Sequence, residues 1–316
     1  MALVETRDLV KKFGDLTAVD HISFTVGRGE VVGFLGPNGA GKSTTMKIIS
    51  GFLEPTSGSA FIAGHDSHAD PILARRHLGY LPEGAPAYSD MSVAAFLEFV
   101  AGMHGLSRAT ANNRLAELVE RVDLAGVWNQ RIESLSKGFK RRVGIAQALV
   151  HDPDVLVLDE PTDGLDPNQK HEMRQLIRSI AANKAIVIST HILEEVEAIC
   201  SRAIIIAKGR MLADATPQQL MERAPEQGSF AITISSAQPQ VAVDLLGAQS
   251  GVARIEIVRH SNGSARLLVH AGEVKPNAQD LISLLGRSNI VVEEFYQERA
   301  RLDEVFRQIT HSVAGH

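Results

Sequence analysis

Residues 36–44, Gly36-Pro37-Asn38-Gly39-Ala40-Gly41-Lys42-Ser43-Thr44, fit the spacing G-x-x-x-x-G-K-[ST] and stand between two segments of different period. Before them, "EVVGFL" (30–35) is a continuous apolar run, the pattern of a parallel strand buried on both faces. After them, "STTMKIISGF" (43–52) repeats its apolar residues at helical spacing, and Gly51 stands where a helix would stop. Strand, loop and helix together are the context in which this spacing carries chemistry. The glycines at 36, 39 and 41 let backbone N–H groups curl around phosphate oxygens, aided by the positive end of the helix dipole. Lys42 then reaches the β- and γ-phosphates, and the Ser43 hydroxyl is a Mg²⁺ ligand. A glycine-rich turn with an incidental lysine would leave the flanking pattern unexplained.

Further along, "VLVLDE" (155–160) delivers Asp159 and Glu160 to the carboxyl end of a strand, where ligands bind in open α/β sheets. Asp159 is placed to hold Mg²⁺, directly or through water, and Glu160 to polarise an attacking water, so the pair reads as an ATP-hydrolysing site. A second anion-seeking element is "LSKGFKRR" (135–142). Ser136 is a good N-cap, Gly138 permits close approach of a phosphate, and Phe139, Val143, Ala146 and Val150 recur along one helical face. It lies so far along the chain from Gly36 that it serves the same nucleotide only if the fold, or a second molecule, brings it there.

The 316 residues suggest two domains, one large and one small. A hydrophobic content of 44% with 22% charged residues argues for a folded globular chain, and a net charge of −5 gives no general attraction to nucleic acid. The single Cys200 has no internal partner and reads as a buried structural thiol, which fits a reducing compartment. The opening residues lack the pattern of an export signal, and no apolar run approaches ~18 residues, so the expectation is a cytoplasmic chain that reaches a membrane only through another polypeptide. Strand and helix alternate up to "AIIIA" (203–207), interrupted over 84–130 by helical periodicity that marks a helical insertion. From "RAPEQGS" (223–229) the composition shifts. The strands "FAITIS", "ARIEIV", "ARLLV" and "NIVVEEFYQ", with helices near 239–247 and 277–286, give the order β-α-β-β-α-β of a ferredoxin-like domain, closed by the helix "LDEVFRQIT". The expected domains are 1–220, with its helical subdomain at about 84–150, and 221–316.

The chain resembles the ATP-binding cassette (ABC) family over essentially its whole length. "GPNGAGKST" is similar to its Walker A motif, "VLVLDEP" to Walker B, "LSKGF" to the signature, Gly164–Pro167 to the D-loop, and Ser189-Thr190-His191 to the H-loop. The resemblance implies a P-loop NTPase fold: a mostly parallel sheet, antiparallel N-terminal strands and a helical subdomain. It also implies a head-to-tail dimer, in which the signature of one subunit caps the γ-phosphate held by the other. By the same resemblance Phe13 stacks on adenine, His191 contacts the γ-phosphate and orients the water, and Asp166 communicates across the dimer. A core phenylalanine is the plain alternative for Phe13.

Two departures stand out. Lys137 and Phe139 replace a glycine and a glutamine of the usual signature, and Glu83 in "GYLPEGAPAY" occupies the place of the Q-loop glutamine, where its oxygen still suits a hard cation. These departures resemble the ATPase subunits of ABC-2 type exporters, in particular a gliding-motility-associated branch. The implied partners are a separate membrane permease and a second ATPase subunit. An ABC protein acting on DNA or ribosomes would carry two cassettes or a long coiled coil. A small-molecule kinase would leave the signature unexplained, and a GTPase would need an aspartate that Asn183-Lys184-Ala185-Ile186 lacks. His65 and His68 read as solvated, and the basic run Lys137, Lys140, Arg141 and Arg142 largely as a polar helix face.

Overall fold

The chain begins with two long strands, β1 (Ala2–Phe13) and β2 (Leu16–Gly27), paired antiparallel around a turn in which Gly14 takes φ 57°. The computed structural model describes residues 2–222, 228–235, 239–261, 263–272, 274–298 and 302–314. Most of "RAPEQGS", read above as a composition break, lies outside them. Two compact units emerge, one formed by Met1–Pro217 with Ile309–His316 and the other by Gln218–Gln308.

In the first unit β3 (Val31–Leu35) leads into α1 (Lys42–Ile49), and the chain then returns to the antiparallel layer with β4 (Ser57–Ile62) and β5 (His65–Asp66). α2 (Pro71–Arg76) precedes β6 (Leu78–Leu81), and three helices follow: α3 (Val93–Met103), α4 (Arg108–Arg121) and α5 (Lys137–Leu149). Ser92, Ser107 and Ser136 each accept a hydrogen bond from an N–H of the first turn, which is why all three helices start where they do. β7 (Val155–Asp159), α6 (Pro167–Ala181), β8 (Ala185–Thr190), α7 (Leu193–Ile199), β9 (Arg202–Ala207) and β10 (Arg210–Ala215) complete the series, and α8 (Pro217–Met221) starts at the boundary and belongs almost wholly to the second unit.

The main sheet runs β10-β9-β3-β8-β7-β6, parallel except for β10 against β9. Every residue of β3, β7 and β8 is buried, as a strand covered on both faces requires. Each buried valine, leucine or isoleucine contributes about 1.5–3 kcal/mol by leaving water. The neighbouring sheet, in the order β2-β1-β4-β5, is antiparallel throughout, and its core face is continuous with that of β3, β7 and β8 through residues such as Val4, Ile22 and Phe34.

The second unit holds β11 (Phe230–Ser235), α9 (Pro239–Gly247), β12 (Val252–Ser261), β13 (Ser264–Ala271), α10 (Ala278–Arg287) and β14 (Val291–Gln297), and α11 (Leu302–Ala314) follows. Its sheet order β12-β13-β11-β14 is antiparallel at every pairing, which is the ferredoxin-like arrangement. Ile232, Ile234, Leu267 and Val269 pack there against Leu246, Leu281 and Leu285 of the helices.

Candidate active site

The phosphate loop leaves the end of β3 and enters α1 through two positions that admit no side chain. A Cβ on Gly36 would lie 2.5 Å from the Ile206 carbonyl oxygen, and one on Gly41, whose φ is 104°, would lie 2.3 Å from that of Ala18. The Ala40 N–H donates to Pro37 O at 3.1 Å, and the Gly209 N–H donates to Ala40 O at 3.0 Å, so the loop is pinned to the β9–β10 turn. Pro37, Asn38 and Gly39 form its exposed rim, while Ser43 and Thr44 are half-buried in the first turn of α1. Lys42 is 5% exposed, and its Nζ donates to Gly36 O at 2.7 Å and Pro37 O at 3.2 Å. Burial lowers its pKa, and the carboxylates of Glu160, Asp159 and Glu83 oppose that shift by favouring the ammonium.

Parallel pairing of β7 with β8 sets Asp159 opposite Ser189. Asp159 is 1% exposed, and its Oδ1 accepts from Ser43 Oγ at 3.3 Å and from Ser189 Oγ. An all-oxygen set of one carboxylate and one helix-start hydroxyl suits a hard divalent cation such as Mg²⁺. Glu160, at φ 47°, turns the chain out of the strand, and its N–H donates to both Ser189 O and Ser189 Oγ at 3.1 Å. Its Oε1 lies 3.2 Å from Nδ1 of His191, and the side chains of Glu160, Asp163 and His191 bring ligand atoms within 4.8 Å of one another.

Glu195 ties this corner from behind. It is 1% exposed, it accepts from Thr162 Oγ1, and it accepts from Thr190 Oγ1 at 2.7 Å, so one carboxylate joins the residue two past Glu160 to the residue before His191. Burial raises its pKa, opposed by the Thr190 hydrogen bond and by the charges of Arg174, Lys170 and His191.

The remaining expected residues lie around this centre in several settings. Phe13 ends β1 with 49% of its surface exposed and Lys11 Nζ 5.2 Å from its ring centroid, so it is no core residue and offers a face for stacking. Glu83 is exposed on the turn after β6 and lines an open cavity of about 440 Å³ with Asp159 and Asp163. Ser136 is exposed at the start of α5, where its Oγ accepts from the Phe139 N–H at 3.3 Å. Gly138 is buried, and a Cβ there would lie 3.0 Å from the Gln169 side chain. Asp166 caps α6 by accepting from the Gln169 N–H at 2.9 Å.

Comparison with known proteins agrees with this geometry. The ABC transporter family model matches residues 19–163. The chain is 35% identical over 312 residues to the Nod factor export ATP-binding protein I of Burkholderia lata, covering 98% of this chain and 97% of that protein. The chain belongs to the ATP-binding subunits of ABC transporters.

Other relatives of this ABC subunit include the probable multidrug ABC transporter ATP-binding protein YbhF of Escherichia coli (strain K12), 39% identical over 219 residues. That match takes in 69% of this chain, and the chain spans only 38% of YbhF's length. A solved structure of an ATP-binding subunit of an ABC transporter superposes with a TM-score of 0.64 at 33% identity, over 70% of this chain and 92% of that one.

Sequence reasoning missed Glu195 in this ABC subunit, although it left a signal. Glu195 shares the apolar stripe of Ile192, Val196 and Ile199, while Glu194 and Glu197 face outward. Two surface readings are corrected. Arg141 is 6% exposed rather than part of a polar face, because α5 is covered on that side. His65 and His68 are half-buried rather than solvated: His65 stacks on His77 at 5.6 Å, and His68 Nε2 is buried.

Proposed function

We propose that the chain is the ATP-hydrolysing subunit of an ABC-2 type exporter of the gliding-motility-like branch. Two copies, or this copy and a paired ATPase, enclose two ATP molecules and drive a separate membrane permease from its cytoplasmic face. The observation that carries the reading is the convergence of Ser43, Asp159, Glu160 and His191 on the carboxyl ends of β3, β7 and β8. Among the described residues no helix is long and apolar enough to cross a membrane. Relatives named for Nod factor export and for a multidrug transporter support the exporter direction.

In this reading the amides of residues 36–44 and the Lys42 ammonium neutralise phosphate charge, and Phe13 stacks on the adenine. Ser43, Asp159 and Glu83 would hold Mg²⁺, which when bound supplies Lewis-acid stabilisation of phosphoryl charge. Glu160 accepts a proton from the attacking water, and His191, held against the Glu160 carboxylate, keeps that water in line. Ser136 and Gly138 present the start of α5 to the γ-phosphate of the partner, and Asp166 lies beside that junction. Nucleic acid has no part in the cycle.

The test uses Glu160→Gln, which preserves shape and removes the base. ATP binding stays within about threefold of the parent, and turnover falls by about 10²-fold or more. Turnover per chain also rises with protein concentration. A Glu160→Gln variant that hydrolyses at the parental rate defeats the proposal.

A further inference from the structure

Arg141 is a buried charge on the inner face of α5. It is 6% exposed, and its Nη1 is buried without a hydrogen-bond partner among the described residues. A buried charge left so is costly unless a carboxylate faces it. Three carboxylates, those of Glu83, Asp159 and Asp163, line the same cavity as Arg141. Asp159 already accepts two hydroxyls, and Asp163 lies in the cluster with Glu160 and His191. Glu83 has no such engagement among the described residues.

The backbone favours the same pairing. Gly144 lies one turn beyond Arg141 on α5, and a Cβ there would come within 2.5 Å of Leu81 Cδ1 and 3.1 Å of Ala85 Cβ. The face of α5 that carries Arg141 is therefore pressed against the two residues that bracket Glu83. Between them the chain turns sharply, with the Ala85 N–H donating to Pro82 O at 3.1 Å, Gly84 at φ 80° and Ala85 at φ 46°. Burial pulls the guanidinium pKa down, while Asp163, Glu83, Glu160 and Asp159 sustain its charge.

We propose that Arg141 is a positioning residue for the nucleotide site, the counter-ion that neutralises Glu83 and holds its carboxylate at the cavity wall. The inference rests on the reading of Glu83 as a carboxylate facing the phosphates. It gives the acidic residue at that place a reason to be tolerated beside ATP: the negative charge of Glu83 is balanced from α5, the helix that Ser136 begins.

The experiment compares the full chain with Arg141→Gln, Glu83→Gln, the double variant, and Arg141→Lys, titrating a fluorescent ATP analogue in EDTA. Arg141→Gln leaves Glu83 unopposed and weakens binding about tenfold. The double variant binds within about threefold of Glu83→Gln, and Arg141→Lys, which keeps the charge, binds like the parent. An equal loss from Arg141→Gln in the parental and the Glu83→Gln backgrounds overturns the pairing. Unfolding midpoints of the same chains without nucleotide separate this failure from failure of the ATPase reading. Glu83→Gln lowers the midpoint by removing one of the carboxylates that offset the buried cation, and adding Arg141→Gln restores it. If the parent binds no nucleotide, the ATPase reading falls while the midpoints still decide the pair; strictly additive midpoints then reject it.

Discussion

At single-residue scale, Glu195 is a buried carboxylate that ties together the segments carrying Glu160 and His191. Thr162 and Thr190 both donate to it, and they flank Glu160 and His191 in the chain. Glu195→Ala strands two buried hydroxyls, each at a cost of about 1–3 kcal/mol. Glu195→Gln keeps one acceptor and adds a donor that Thr162 Oγ1 can receive. The expected outcome is a fall in kcat of at least about tenfold for the alanine variant with KM little changed, and near-parental kcat for the glutamine variant. A kcat unchanged in a folded Glu195→Ala variant would remove Glu195 from the site's architecture. The placement of "GPNGAGKST", Asp159, Glu160 and His191 at strand ends was legible because it is encoded in local spacing beside a buried apolar run. Arg141 was not, because the face of a helix that is covered depends on what packs there, here the segment from Leu81 to Ala85.

Between elements, the ends of α3 and α5 meet through two imidazoles. His104 and His151 stack with centroids 3.7 Å apart and planes 6° from parallel, and His151 Nε2 lies 3.0 Å from the Leu78 carbonyl oxygen in β6. Burial and then the neighbouring His104 push the His151 pKa from its ordinary 6.5 down to about 4, with Lys184 adding to the shift and the Leu78 carbonyl and Asp152 opposing it. The folded value lies below the unfolded one. The contribution is therefore complete above pH 6.5, and it is lost as the pH falls towards 4, because the unfolded chain takes up a proton that the folded chain refuses. Comparing denaturant midpoints at pH 7 and pH 4.5, His151→Gln, which can still donate to Leu78, is expected to recover about 2 kcal/mol of the parent's acid loss. An identical acid slope in both chains would exclude His151 as its source. Element order was mostly readable, since "VLVLDE", "AIVIST" and "FAITIS" have unambiguous periods. β4 and β6 were not: "SGSAFI" begins like a turn, and "LGYL" is short and carries Gly79, where a Cβ would come 2.1 Å from Ala148 O. There tertiary approach, rather than strand propensity, selects the residue.

For the molecule as a whole, the open question is why one chain carries two anion-seeking helix starts. Ser136 is exposed, its oxygen caps α5, and Gly138 beneath it is covered by Gln169 of α6, the helix that Asp166 caps. The start of α5 and the start of α6 thus lie against each other through Gly138 and Gln169. Single-chain patterns specify these helix starts but not their partner, so the head-to-tail dimer comes from the resemblance to the ABC family. Two differently broken copies should then complement each other in a fixed proportion. A Lys42→Ala copy keeps an intact Ser136 edge, and a Ser136→Arg copy keeps an intact phosphate loop. Each is nearly inactive alone, because both of its composite sites are broken. Mixed in equal amounts, about half of the dimers are heterodimers, and each holds one pocket in which Lys42 and Ser136 are both native. If each site turns over independently, activity returns to about a quarter of the parent. If the two sites fire only together, it stays at the sum of the separate variants, and a full parental rate from high-dilution monomer would remove the need for a partner's Ser136 altogether.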